Sequence, residues 1–94
     1  MGRWNYELKT GRALRQAIED GDYAAVLVQL ENAYAELRDH GYIDEDDYDR
    51  YTESFMDYLD DDTFDDDEEF EETVDFELSE FYDLCDNIGV WVTL

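Results

Sequence analysis

The chain has 94 residues, enough for one small domain. Its 44% apolar and 16% aromatic content suffices for a modest core, yet 29 acidic residues against six Lys and Arg leave a formal charge of −23. That charge excludes direct nucleic-acid binding, because phosphates are repelled, and excludes docking on an anionic membrane for the same reason.

Self-repulsion of this size costs stability, especially at low salt. A basic partner, bound cations or a high-salt setting would offset it. The charge is also uneven. Residues 1 to 18 hold Arg3, Lys9, Arg12 and Arg15 against Glu7. Only Arg38 and Arg50 offset the 28 later acids. The N-terminal cations are expected to dock on an acidic helix of the same chain and relieve repulsion.

Residues 1 to 9, with Trp4, Tyr6 and Leu8 alternating, read as extended. A first helix is predicted from Thr10 as N-cap to Glu19, with Ala13, Leu14, Ala17 and Ile18 inward and Gly21 just past its end. Asp22 then caps a second helix to about Asp39, with the stripe Tyr23, Val26, Leu27, Leu30, Tyr34 and Leu37. Ala24, Ala25, Val28 and Ala35 give it a second apolar face, which makes it the central helix. Gly41 supplies its stop.

A third helix is predicted after Asp44, with acids filling its first turn and Ile43 and Tyr48 as a hydrophobic staple. It runs to about Asp60 and buries Tyr48, Tyr51, Phe55, Tyr58 and Leu59, leaving Asp46, Asp49, Glu53 and Asp57 outside. Residues 60 to 66 form an acidic link.

The stretch Asp57 to Asp86 holds 16 acids among 30 residues and no Lys, Arg or His. Disordered acidic tracts are poor in aromatics. This one instead threads Phe70, Val74, Leu78, Phe81, Cys85 and Ile88 at steps of four, four, three, four and three. It is a fourth helix from about Asp67 to Asn87, ended by Gly89. Glu68, Glu69, Glu72, Asp75, Glu80, Asp83 and Asp86 fall on the far side. Residues 65 to 86 carry 12 carboxylates. They span about 33 Å of helix, over which one DNA strand presents roughly ten phosphates. Phe76 points into that acidic face, either as an apolar anchor for a partner or packed beneath another helix, and Trp4 and Trp91 lie outside the helical stripes. Val90 to Leu94 is β-prone and is expected to pair with the N-terminal segment or with a second copy. The fold class is therefore mainly α: a four-helix domain, monomer or homodimer, with short extended ends.

No catalytic constellation emerges. His40 is the one histidine and precedes a helix-ending glycine, which suits a helix-dipole partner. Ser54, Ser79 and Cys85 lack a nucleophile motif, and the glycines are isolated. An EF-hand loop begun at Asp61 places Asp65 at position 5 and Glu72 at position 12, but Thr63 at position 3 and Asp66 where glycine belongs. Zinc is not expected with one Cys and one His. The expectation is a non-enzyme with no cofactor and no metal site. The lone Cys85 reads as a buried thiol. With no apolar leader after Met1 and no apolar run long enough to span a bilayer, the expected setting is the cytoplasm of a bacterial host cell.

The acidic two-thirds of the chain resembles, in size and composition, the small cysteine-poor inhibitors that phages and mobile elements encode against host defences, of the anti-CRISPR and anti-restriction DNA-mimic kind. The resemblance implies occupancy of the basic DNA channel of a nuclease complex; in Cas9-type effectors that channel and its motif-reading arginines are natural targets. The expected partner-binding residues are Glu68, Glu69, Glu72, Asp75, Phe76, Glu80 and Asp83, with Asp46, Asp49, Glu53 and Asp57 as a second row. Two other readings use the same acids: an adaptor or antitoxin-like chaperone for a basic protein that is not a nuclease, and a halophile-type solvated surface.

Overall fold

The computed structural model describes residues 6–60 and 67–92. Trp4, Arg3, the acidic link with its calcium-loop comparison at Asp61, the side chain of Leu59 and the tail beyond Val92 lie outside the described residues. The order is β1 (Tyr6–Glu7), α1 (Gly11–Asp20), α2 (Tyr23–Asp39), α3 (Glu45–Asp60), α4 (Asp67–Ile88) and β2 (Val90–Trp91). The domain is mainly α, as the periodicity requires.

α2 is the central helix: α1, α3 and α4 each pack on it. Its stripe is sealed, with Val26, Leu27, Leu30, Tyr34 and Leu37 all at most 1% exposed. The second apolar face is weaker than expected, since Ala24 and Val28 are exposed while Ala25 and Ala35 are half-buried. Ala33 is buried instead. A small residue there lets a neighbouring backbone come close.

Tyr34 fastens three helices together. Its ring stacks on Tyr51 of α3 at 5.1 Å and meets Phe81 of α4 edge-on at 5.0 Å, with Phe55 at 6.1 Å. Such pairs contribute about 0.5–1.5 kcal/mol each beyond simple burial. Val74, Leu78, Phe81 and Cys85 complete the stripe of α4 against this node, all buried. Thr52 is buried on α3 and donates its hydroxyl back to the Tyr48 carbonyl at 2.9 Å, which removes the cost of hiding it.

The helix ends follow local chemistry. The Asp22 carboxylate accepts from Ala25 N–H at 3.2 Å and opens α2. At its far end Gly41 sits at φ 81°, so Tyr42 N–H reaches the Leu37 carbonyl at 2.9 Å and Gly41 N–H the Arg38 carbonyl at 3.0 Å. The Asp44 backbone carbonyl accepts from Tyr48 N–H at 3.0 Å, closing the first turn of α3, which Glu45, Asp46 and Asp47 fill.

The two chain ends pair, as expected, and do so in parallel: Tyr6 opposite Val90 and Glu7 opposite Trp91. Leu8 N–H continues the ladder to the Trp91 carbonyl at 2.8 Å. Val90 is buried, so β2 also belongs to the core of this chain.

Three expectations fail at the N-terminus. Thr10 makes no side-chain cap on α1; its hydroxyl donates to Glu36 Oε1 of α2 at 2.7 Å. The predicted inward face of α1 shrinks to Leu14 and Ala17, because Ala13 and Ile18 are exposed. Nor do the basic residues dock on α4: among the described residues α1 and α4 are not neighbours, since both pack on α2. Arg15 pairs within its own helix with Glu19 at 3.9 Å, and Lys9 and Arg12 line a cleft of about 300 Å³ with Glu7 and Leu8. Apolar stripes decided which helix goes where; charge did not.

Candidate functional site

α4 carries its acids on the side away from α2 because its apolar stripe is the only face the core can use. Glu68, Glu69, Glu72, Asp75, Glu80 and Asp83 are all exposed, together with Glu71 and Asp86. Twenty-two residues make a helix of about 33 Å. Among the described side chains, eight exposed carboxylates on that length compare with roughly ten phosphates per DNA strand. Phe76 is 62% exposed, with Glu72 and Glu80 one helical turn to either side. Trp91, at 47%, is the other large exposed ring near the end of α4.

Glu77 differs from its neighbours. It is half-buried, and burial first, then Glu80, pushes its carboxyl above the ordinary range. Glu77 and Glu80 in turn raise the phenol of Tyr34, although burial is the larger cause there. The inner edge of the acidic face thus lies within electrostatic reach of the aromatic node.

On α3 Asp46, Asp49, Glu53 and Asp57 are exposed. This second row does not continue the first directly: among the described residues α3 and α4 both lie on α2 and not on each other. Asp49 and Glu53 instead come together with Glu31 of α2 around a groove of about 590 Å³, floored by Tyr48, Thr52 and Met56. Met56 is 68% exposed. The sequence reading missed Glu31 and Met56. Met56 had a signal, since it stands one step off the stripe of Tyr51, Phe55 and Tyr58, as Phe76 stands off its own. Arg38 reaches the Tyr48 ring, its guanidinium carbon 4.3 Å from the centroid.

A further site was invisible in the sequence. The Glu36 carboxylate gathers the N-terminal segment: Tyr6 hydroxyl and Lys9 N–H (2.9 Å) donate to Oε2, Thr10 N–H (2.9 Å) and hydroxyl (2.7 Å) to Oε1. Burial, the largest single influence, pushes this carboxyl up, but the four hydrogen bonds together hold it below its ordinary value. The same bond, ahead of burial, pushes the Tyr6 phenol up to about 12. His40 Nε2 lies 3.1 Å from the same phenol oxygen, within hydrogen-bonding distance. The His40 ring also lies tilted against Tyr6, with centroids 4.6 Å apart, so the imidazole packs against the N-terminal segment. Its backbone N–H bonds Glu36 O at 3.1 Å, at the end of α2.

Among the described residues no cluster of His, Cys, Asp and Glu is arranged to hold a metal ion, and no helix is long and apolar enough to cross a membrane. Burial pushes the Cys85 thiol up to about 12. Compared with known proteins, the chain matches no family model, no curated protein and no solved structure.

Proposed function

We propose that the protein is an inhibitor that imitates DNA and occupies the basic nucleic-acid groove of a host defence nuclease, such as a CRISPR effector, in the cytoplasm of a bacterial cell. The observation that carries this reading is the acidic face of α4. Glu68, Glu72, Asp75, Glu80 and Asp83 stand exposed along one rigid helix whose opposite face is locked into the core, with Phe76 exposed among them. A helix-borne set of anions with a linear charge density close to that of one DNA strand meets a cationic channel without first being ordered, and its field steers association. Phe76 adds an apolar anchor ringed by charge. Asp46, Asp49, Glu53 and Asp57 supply a second anionic surface.

The test is competition. A guide-loaded, catalytically inactive Cas9-type effector is mixed with labelled target duplex and titrated with the purified chain, at several salt concentrations. The expected result is displacement of the duplex, with an apparent affinity that falls steeply as salt rises. Glu72→Gln with Asp75→Asn, and Phe76→Ser, should each weaken displacement about fivefold or more. Binding that ignores salt, or that coexists with bound duplex, refutes the proposal. Capture of a basic protein that leaves its nucleic acid undisturbed would identify an adaptor instead.

A further inference from the structure

The groove between α2 and α3 is chemically unlike the face of α4. Tyr48, Thr52 and Met56 follow one another at intervals of four along α3 and form its floor. Asp49 and Glu53 run beside them, and Glu31 faces them from α2. The Thr52 hydroxyl is spent on the Tyr48 carbonyl at 2.9 Å. What remains is three carboxylate acceptors around an aromatic ring and a thioether that is 68% exposed. The Tyr48 ring already accepts one guanidinium from within the chain, that of Arg38 at 4.3 Å. An aromatic ring and a thioether line this groove beside its acids, whereas the exposed carboxylates of α4 stand on an open helix face.

We propose that this groove receives an arginine side chain of the protein partner, its stem lying against Met56 and its guanidinium against Tyr48 between Glu31, Asp49 and Glu53. The occupant follows from charge and shape together. Arg38 already covers the Tyr48 ring from one side, yet the three rim carboxylates outnumber that cation and favour a second. A long apolar floor favours one with a methylene stem that can lie along it. A planar, weakly hydrated guanidinium can stack on the ring and fork between carboxylates, which a compact ammonium cannot. The inference rests on the proposal that the partner is a basic nucleic-acid-binding protein, and adds that the groove, not α4, selects arginine over lysine.

Blocked hexa-arginine and hexa-lysine peptides serve as probes for the folded full chain carrying ¹³C-methyl methionine. Met56 is distinguished from the other methionine by Met56→Leu. Saturable movement of the Met56 methyl with hexa-arginine, and binding at least about fivefold tighter than hexa-lysine, are expected. Met56→Ser with Glu53→Gln should weaken hexa-arginine about tenfold and abolish the preference. Both residues are exposed, so helicity and melting should be unchanged. Glu72→Gln with Asp75→Asn on α4 should weaken both peptides alike. Equal binding of the two peptides, or a Met56 methyl that does not move, overturns the arginine site. The duplex-displacement assay separates the two proposals. Groove variants that displace duplex as well as the parent, while α4 variants fail, overturn the groove and leave the inhibitor reading standing. A parent chain that binds hexa-arginine in the groove yet never displaces duplex overturns the inhibitor reading and supports the arginine site.

Discussion

Replacing Glu36 by Gln tests how the N-terminus is held. The carboxylate serves four donors, two on each oxygen. Hydrogen bonds to a charged acceptor are worth about 1.5–3 kcal/mol each when buried, and less at a half-exposed site, so about 1 kcal/mol each is the scale here. The amide keeps one oxygen. Its NH₂ can donate to one hydroxyl oxygen, Tyr6 or Thr10, but it faces a backbone N–H with another donor. One bond is lost outright and the rest lose their charge, for a total of about 2 kcal/mol. The opposing effect is relief of repulsion in a chain of charge −23, worth only a few tenths of a kcal/mol for one screened anion at physiological salt. Hydrogen bonding wins, and Glu36→Gln should lower the melting temperature by about 8–16 °C, since ~1 kcal/mol shifts a domain of this size by ~4–8 °C. Hydrogen exchange at the Leu8 amide, bonded to Trp91 O, should accelerate with it. Asp75→Asn, an exposed control, should leave both unchanged. A Glu36→Gln chain that melts within about 2 °C of the parent, or an unaltered Leu8 amide, refutes the anchoring role.

Because Glu77 is raised and Glu36 lowered, acidification acts on them in opposite directions. Glu77 gains its proton more readily folded than unfolded, so stability rises as pH falls through its folded value; Glu36 supplies stability above its unfolded value that disappears as pH falls through its depressed folded one. Urea unfolding across pH should therefore show a maximum on the acidic side of neutrality, and Glu77→Gln should flatten the rise. Cys85, at about 12, is only about one part in 10⁴ thiolate at pH 8 and should react with a thiol reagent only at the rate of unfolding. Gly41→Ala should cost about 1–2 kcal/mol in chemical denaturation, because the left-handed backbone alone opposes it and no atom lies within 4 Å of the added carbon. Phe81→Ala should cost about 3–5 kcal/mol and loosen α4, read as loss of near-ultraviolet dichroism, since Phe81 is 0% exposed against Tyr34.

The helices were legible where a single rule governs them. The α4 stripe repeats at helical spacing, and the structure buries Val74, Leu78, Phe81 and Cys85 as that spacing requires. Asp22 and Gly41 act within a few residues of themselves, so local chemistry announces them. Thr10 misled for the converse reason: it sits where a cap belongs, but Glu36, 26 residues away, offers its hydroxyl a better acceptor. Nothing marks Glu36 among 29 acids until the fold brings Tyr6, Lys9 and Thr10 around it. The supposed docking of the basic segment on α4 assumed that opposite charges choose partners. Screened surface attraction is worth a fraction of a kcal/mol, whereas burying Leu14 against α2 is worth about 2.

The decision between a working surface and a merely solvated one turns on where the apolar residues were left. An acidic coat that serves only solubility gains nothing from a phenylalanine or a methionine within it, although single exposed side chains are common enough to need no reason. Here the two most exposed large apolar side chains among the described residues, Met56 and Phe76, both stand among acids. Phe76 interrupts the anions of α4, and Met56 floors the groove that Asp49, Glu53 and Glu31 surround. Each joins an apolar contact to a field of one sign, the combination that binds a cationic protein surface through both desolvation and charge. Salt then discriminates. Folding of a solvated halophile-type domain fails without concentrated salt. Binding by an anchored surface weakens with salt, yet retains a residual affinity that Phe76→Ser or Met56→Ser removes.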